Sequence, residues 1–303
     1  MRYFIENNDV KVEIDSFGAE IKSVMNKNNN REFMWYGNKK YWGRTSPVLF
    51  PFVGSLKDKK YSFRGKDYPM GQHGFARDNE FELLDASDTE IRFIFKSSPQ
   101  TKEVYPFDFE LIVGYSIEAS DDASIVNVSW EVKNPADEKM YFSIGAHPAF
   151  LIPVNGFSAS SKECKSGYKL YFDGVSEIHH HGNDVASGLA IKEDIVLALN
   201  DGYAEITEGF FDRCTYMIEG NQTGLVGIAD KDNKRIVDVK FDTPLFAIWS
   251  PEKKNAPFIC IEPWYGRCDS VDFNGDLTAR EFTNVLNGKE TFNGGYQMKF
   301  YKY

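Results

Sequence analysis

Histidine is scarce in this chain, with five in 303 residues. Cysteine is scarcer still: Cys164, Cys214, Cys260 and Cys268 are the four, and no CxxC spacing occurs among them. Without a cysteine–histidine grouping at ligand spacing, a zinc cluster is not expected. Positive charge is in deficit, 35 Lys and Arg against 45 Asp and Glu, for a net charge of −10. Such a chain lacks the basic face that a nucleic-acid partner requires. It is equally ill suited to an anionic membrane surface. No stretch approaches the ~18 apolar residues of a spanning helix. The opening MRYFIENNDVKVEI has no basic start followed by an apolar run, so no secretory signal is expected. Four free thiols in a chain of this kind fit a reducing cytoplasm. Internal repeats, low-complexity tracts and linkers rich in Gly, Ser or Pro are missing too. Residues 1–303 are therefore expected to form a single domain, although the length would allow two.

What is present is alternation. FELIVGYSI sets Phe109, Leu111, Val113, Tyr115 and Ile117 on one face, and VNVSWEVKN does the same with Val126, Val128, Trp130 and Val132. Val10–Ile14 and Val237–Phe241 repeat the pattern. A period of two over five residues marks a half-buried strand. Turn signals separate the runs at Asn7–Asp9, at Asn134-Pro135 and at 230–233, the last reading as a hairpin loop. Helical periodicity is poor; the best candidate is a short helix near 277–285, with Leu277, Phe282 and Val285. Many short strands with regular turns and few helices predict an all-β protein, a large antiparallel sandwich. Hydrophobic content of 42% and aromatic content of 15% supply a sizeable core. A neutral or weakly charged small molecule is the partner that composition favours.

Three of the histidines are consecutive, His179 to His181. Neighbouring strand side chains point to opposite faces, so at most two of these could meet one ion, and metal binding is not expected there. The other two stand alone, His73 in GQHGFAR and His147 in IGAHPAF. Histidine titrates near neutrality and is the first candidate for moving protons. His147 follows a strand-like run and precedes a proline. Glu262, in FICIEPWYG, has the same setting. Two titratable groups at strand ends, each fixed by a following proline, are placed to face one pocket. Glycines flank the His73 segment and let the backbone turn sharply, and Arg77 lies four residues on. In WGRTSPVLFPFVG, Arg44 offers a fork of N–H donors to substrate oxygens.

Taken in order, GRTSPVLFPFVG, QHGFAR, GAHPAF and IEPWYGRCD resemble the galactose mutarotase (aldose 1-epimerase) family, and its shorter bacterial branch most. The resemblance implies a single β-sandwich (a supersandwich) with a carbohydrate site. It implies a cofactor-free interconversion of the α and β anomers of a free aldose. Carried over by motif, His147 is the proton donor to the ring oxygen and Glu262 the base at the anomeric hydroxyl. His73 and Arg44 hold ring oxygens and hydroxyls, with Arg77 beside them. Trp264 supplies a flat apolar surface for the sugar's C–H face. The family commonly carries an aspartate in the segment corresponding to FFDRCTYM; Cys214 stands in its place. Asp212, two residues earlier and on the same face of a strand, is the candidate substitute, the alternative being a solvated side chain. That departure keeps two other readings open. One is a sugar-binding protein without turnover. The other is an epimerase of a phosphorylated hexose, which needs a basic patch from Arg44, Arg77 and Arg267. A glycosidase ordinarily needs two suitably spaced carboxylates, and only Glu262 has a site context. A monomer or homodimer is expected.

Overall fold

Alternation becomes pairing in the two longest runs. Glu110–Ala119 and Ala123–Lys133 form an antiparallel pair with Leu111 opposite Val132, Val113 opposite Trp130 and Tyr115 opposite Val128. All six are buried. The computed structural model describes residues 1–152 and 165–302; Cys164 lies outside them. A nine-stranded antiparallel sheet is built around that pair and the Thr291–Tyr301 strand. An eight-stranded sheet has the Phe258–Tyr265 strand between Leu245–Trp249 and Ile144–Ala146. A four-stranded N-terminal sheet spans residues 2–32. One core cluster takes side chains from all three, from Ile5 to Phe300. This is the expected β-sandwich. At 230–233 the expected hairpin turn joins Leu225–Ala229 to Arg235–Phe241, with the Asp230 N–H donating to Lys234 O at 3.0 Å.

One local expectation needs correction. Residues 277–285 hold a single 3₁₀ turn, Leu277–Ala279, and then a strand, Asn284–Leu286, not a helix. Phe282 adopts φ +55°, which no right-handed helix passes through. A helix does form at Pro99–Val104, where Ser98 caps its first turn and the Thr101 side chain accepts from the Ser98 N–H. Proline at its first position costs nothing, because that N–H would be unpaired anyway.

The Phe258–Tyr265 strand decides where the chemistry lies. It is buried on both faces. Ile259 and Ile261 enter the main core, while Cys260 and Trp264, pointing the other way, join two smaller clusters. The neighbouring strand sorts likewise, with Phe246 and Ile248 on the core side and Leu245 and Ala247 opposite. Glu262 therefore stands on the sheet face turned away from the main core. Truncating a core-side neighbour should weaken the fold. Phe246→Ala should lower the unfolding free energy by about 3–5 kcal/mol in a denaturant titration. A loss below about 1 kcal/mol would show that this face does not hold the sheet.

Candidate active site

Glu262 sits mid-strand, not at a strand end, and Pro263 does not terminate the strand. Pairing continues past it, with Phe246 opposite Pro263 and Leu245 opposite Trp264. On the other side the strand pairs with Ile144 and Gly145, then again with Ala149 to Leu151, at one unchanged offset. That offset sets His147 directly across from Glu262. The ladder is interrupted only around Pro148 and Pro263, neither of which has an N–H to donate. The two prolines thus open a gap in the ladder without shifting its register. Directly opposed residues share a face, and His147 Nε2 lies 3.3 Å from Glu262 Oε2.

A cavity of about 310 Å³ covers this pair. His73, His147, Glu262, Arg77 and Trp264 all line it. His73 reaches it through tertiary packing of two loops. His73 and Gly74 take left-handed backbones, φ +66° and +68°, and Gly74 lies so close to Phe50 that a Cβ would stand 2.3 Å from its carbonyl oxygen. Phe75 and Ala76 donate their N–H groups to that carbonyl. His73 Nδ1 accepts the Gly54 N–H at 3.1 Å, which leaves the proton on Nε2. The two histidine rings stand edge to face, 5.7 Å apart.

Arg44 and Asp212 are not among the lining residues. Arg44 donates to Asp78 at 2.7 Å and to the Arg77 carbonyl at 3.3 Å, so it buttresses the loop that carries Arg77. Asp212 lies in a turn, not on a strand, and borders a separate cavity with Phe210 and Lys253. Its carboxylate accepts the Lys253 N–H at 2.7 Å. The face argument that made it a substitute fails because the strand begins only at Tyr216. Cys214 is buried against Gly182.

Other residues complete the wall. Trp42 stacks on His147 at 4.6 Å and 26°, and Trp249 meets it edge-on at 5.3 Å. Glu252 lines the cavity and accepts from Trp249 Nε1 at 3.2 Å; Asn183 and Gln72 also line it. Trp42 adjoins the GRTSPVLF motif and was within reach of the sequence. Glu252 and Asn183 had no local signal, because register and turn geometry bring them in. Trp264 lies over Gly145, where a Cβ would be 2.7 Å from its ring.

Burial governs the electrostatics. Glu262 is 1% exposed, and desolvation pushes its carboxyl well above the usual range, with the nearby Trp264 indole pulling weakly the other way. Burial, and then the Arg77 charge, depress His147 to about 3. Burial, Arg77, His147 and Arg44 depress His73 well below its usual value. Arg77 itself is lowered to about 10 by burial and Arg44. In the free protein the 3.3 Å pair therefore holds one proton as a neutral imidazole and a carboxylic acid. Arg77 Nε, His147 Nδ1, Trp264 Nε1 and both Glu262 oxygens are buried without a hydrogen bond of good geometry. Buried polar groups are ordinarily paired; so many orphans around one cavity mark a place where a polyhydroxylated ligand would complete the bonding.

Among the described residues, no helix is long and apolar enough to cross a membrane. The sequence matches the family described as aldose 1-epimerase over residues 1–282. It is 27% identical over 292 residues to "Protein LacX, chromosomal" of Lactococcus lactis subsp. lactis, covering 93% of this chain and 94% of that protein. A galactose mutarotase related enzyme from Lactobacillus acidophilus superposes with a TM-score of 0.90 at 33% identity, covering 100% of this chain and 98% of the other. A galactose mutarotase-like protein from Lactobacillus casei ATCC 334 gives a TM-score of 0.87 at 27% identity, over 99% and 100%.

The buried histidines give a pH signature. Unfolded, His73 takes up a proton near pH 6.5; folded, it does so only far lower. Its contribution is present at neutral pH and is lost as pH falls through 6.5. Burial moves His147 down and Glu262 up, so the pair's two shifts oppose each other in proton count and offset much of each other's slope. The melting temperature of the wild type should thus drop between pH 7 and 5, and His73→Asn, which tolerates the left-handed backbone, should flatten that drop. Parallel curves for the two proteins would refute the buried neutral His73.

Proposed function

The chain belongs to the aldose 1-epimerase family, and from that premise we propose that it is a mutarotase acting on free, unphosphorylated hexoses through His147 and Glu262. The observation that carries the proposal is the buried His147–Glu262 contact beneath a cavity sized for one sugar ring.

Ring opening moves two protons at one carbon. The anomeric hydroxyl loses its proton as the bond from C1 to the ring oxygen breaks, and the ring oxygen gains one. Glu262 takes the first and His147 gives the second. The pair starts as imidazolium and carboxylate and ends as imidazole and carboxylic acid, with no net proton exchanged. Burial favours that neutral end state, so the pocket lowers the energy of the open-chain aldehyde step. Sugar hydroxyls bonded to the carboxylate favour the charged state in the bound ring form. Rotation about C1–C2 then presents the other aldehyde face, and the same two transfers reverse. His73 Nε2–H and Arg77 donate to sugar oxygens, and Trp42, Trp249 and Trp264 pack against C–H surfaces. Glu252, with its carboxylate on the cavity wall, reads hydroxyls in place of the missing aspartate.

Charge supports an unphosphorylated substrate. Arg44 is paired with Asp78. Arg267, nearly fully buried, is held by Glu219 at 2.7 Å and by Glu281. Of the three arginines a phosphate would need, only Arg77 faces the cavity.

Polarimetry on freshly dissolved α-D-galactose and α-D-glucose tests this. Wild type should speed relaxation of the rotation. Glu262→Gln and His147→Asn should each lose roughly 10²–10⁴-fold in rate, with sugar still bound by calorimetry. Full activity in Glu262→Gln, or a clear preference for a hexose phosphate, would sink the proposal. Glu252→Gln should raise KM about tenfold, the scale of a lost charged hydrogen bond, with kcat nearly unchanged. An unchanged KM would remove Glu252 from substrate recognition.

A further inference from the structure

Cys260 has no role in the sugar chemistry above, yet it shares the cavity-side face with Glu262, two residues away on one strand. It is fully buried. One ligand atom each from His147, Cys260 and Glu262 lies within 4.8 Å of the other two. Within that trio, His147 Nε2 and Glu262 Oε2 are 3.3 Å apart. A tetrahedral zinc ion, with bonds of about 2.0–2.3 Å, sets its ligand atoms roughly 3.4–3.6 Å apart. The histidine–glutamate spacing already matches. The sulfur lies within 4.8 Å of both, so it has to move by at most about 1.4 Å to reach the same geometry.

We propose that His147, Cys260 and Glu262 form a site for one thiophilic divalent cation of the Zn²⁺ class, and that its occupancy blocks turnover. An imidazole nitrogen, a sulfur and a carboxylate oxygen are the donor set this class of ion takes. Neither Glu262 oxygen makes a hydrogen bond of good geometry, so the ion displaces only the loose approaches of His147 and Trp264. A thiolate and a carboxylate together balance its double charge, which a buried site needs. The fourth position faces the cavity that His147 and Glu262 line, where water can fill it. On binding, the Cys260 thiol proton and the proton shared by the His147–Glu262 pair leave to solvent; no electrons move. His147 Nδ1 makes no hydrogen bond of good geometry, so the outer-shell bond that strengthens resident zinc centres is at best weak. The site is thus a reversible, inhibitory one. Sequence spacing concealed it because the sheet register, not the chain, brings the three together. Only the inhibition and the competition with galactose rest on the mutarotase reading: the ion takes the lone pairs through which His147 and Glu262 move protons.

The test uses the full chain stripped with EDTA, with Cd²⁺ as the spectroscopic probe and Zn²⁺ as the inhibitor. Cd²⁺ should raise an ultraviolet sulfur-to-metal charge-transfer band that saturates at one equivalent and is suppressed by saturating galactose. The band should persist in C268A, whose thiol lines the cavity outside the trio, and vanish in C260A. Zn²⁺ should slow mutarotation of the wild type, reversibly with EDTA. C260A should turn over normally without metal, and its inhibition by Zn²⁺ should weaken at least as much as the ~10–100-fold cost of losing an outer-shell partner. A band that survives in C260A, or that vanishes in C268A instead, overturns the site. Loss of wild-type activity on EDTA treatment overturns the inhibitory role. Should C260A fail to fold, C260S carries the same comparison, since a hydroxyl gives no such band. A protein with no mutarotase activity in any state, but with the Cys260-dependent band, would refute the function proposed above and leave the cation site standing.

Discussion

Everything at this site depends on a carboxyl group being kept out of water by a strand that is buried on both faces. Ile259 and Ile261 anchor that strand in the main core, so the alternate residues Cys260, Glu262 and Trp264 are forced to the opposite face. Were that face open to solvent, Glu262 would be an ordinary ionised acid. Instead, Trp42, Trp249 and the loop carrying His73 close over it, and the energetic preference between its two protonation states is reset. The neutral form of its pair with His147 follows from that burial, and on the mutarotase reading so does proton transfer within the pair.

The roof is made by loops and the floor by strands, and the two are held differently. His147 and Glu262 owe their contact to backbone register. His73 owes its position to a left-handed pair of residues seated against the Phe50 carbonyl, and Arg77 to a loop tied down by Arg44 and Asp78. The residue expected to contact sugar, Arg44, is thereby a buttress for the one that faces the cavity.

Much of this was legible in the sequence for local reasons. Period-two alternation found the strands around Val113, Trp130 and Val237, because each is half of a pair with one buried face. His147 and Glu262 stood out as titratable residues at the close of apolar runs before prolines. His147 does follow the end of the Ile144–Ala146 strand, but Pro263 was misread as a strand end: a proline can sit inside a ladder where pairing is already interrupted, and only the partner strand reveals that. Asp212 was placed by assuming a strand where a turn lies. Glu252 and Asn183 were invisible, since nothing local distinguishes a cavity-wall residue from a solvated one. The poor periodicity at 277–285 carried too little amphipathic signal to separate a helix from a 3₁₀ turn followed by a strand.

The unchanged offset on either side of the His147–Glu262 gap has one more consequence, for how the chain can vary in length. Between Gly145 and Ala149 the backbone leaves the ladder and rejoins it without gaining or losing a residue. One added residue there would either bulge out or turn His147 to the core face. Hairpin loops such as 230–233 can absorb insertions at the cost of loop entropy alone. The five residues from Gly145 to Ala149 form a spacer of fixed count, and among proteins that keep this chemistry the interval should be the least elastic part of the chain.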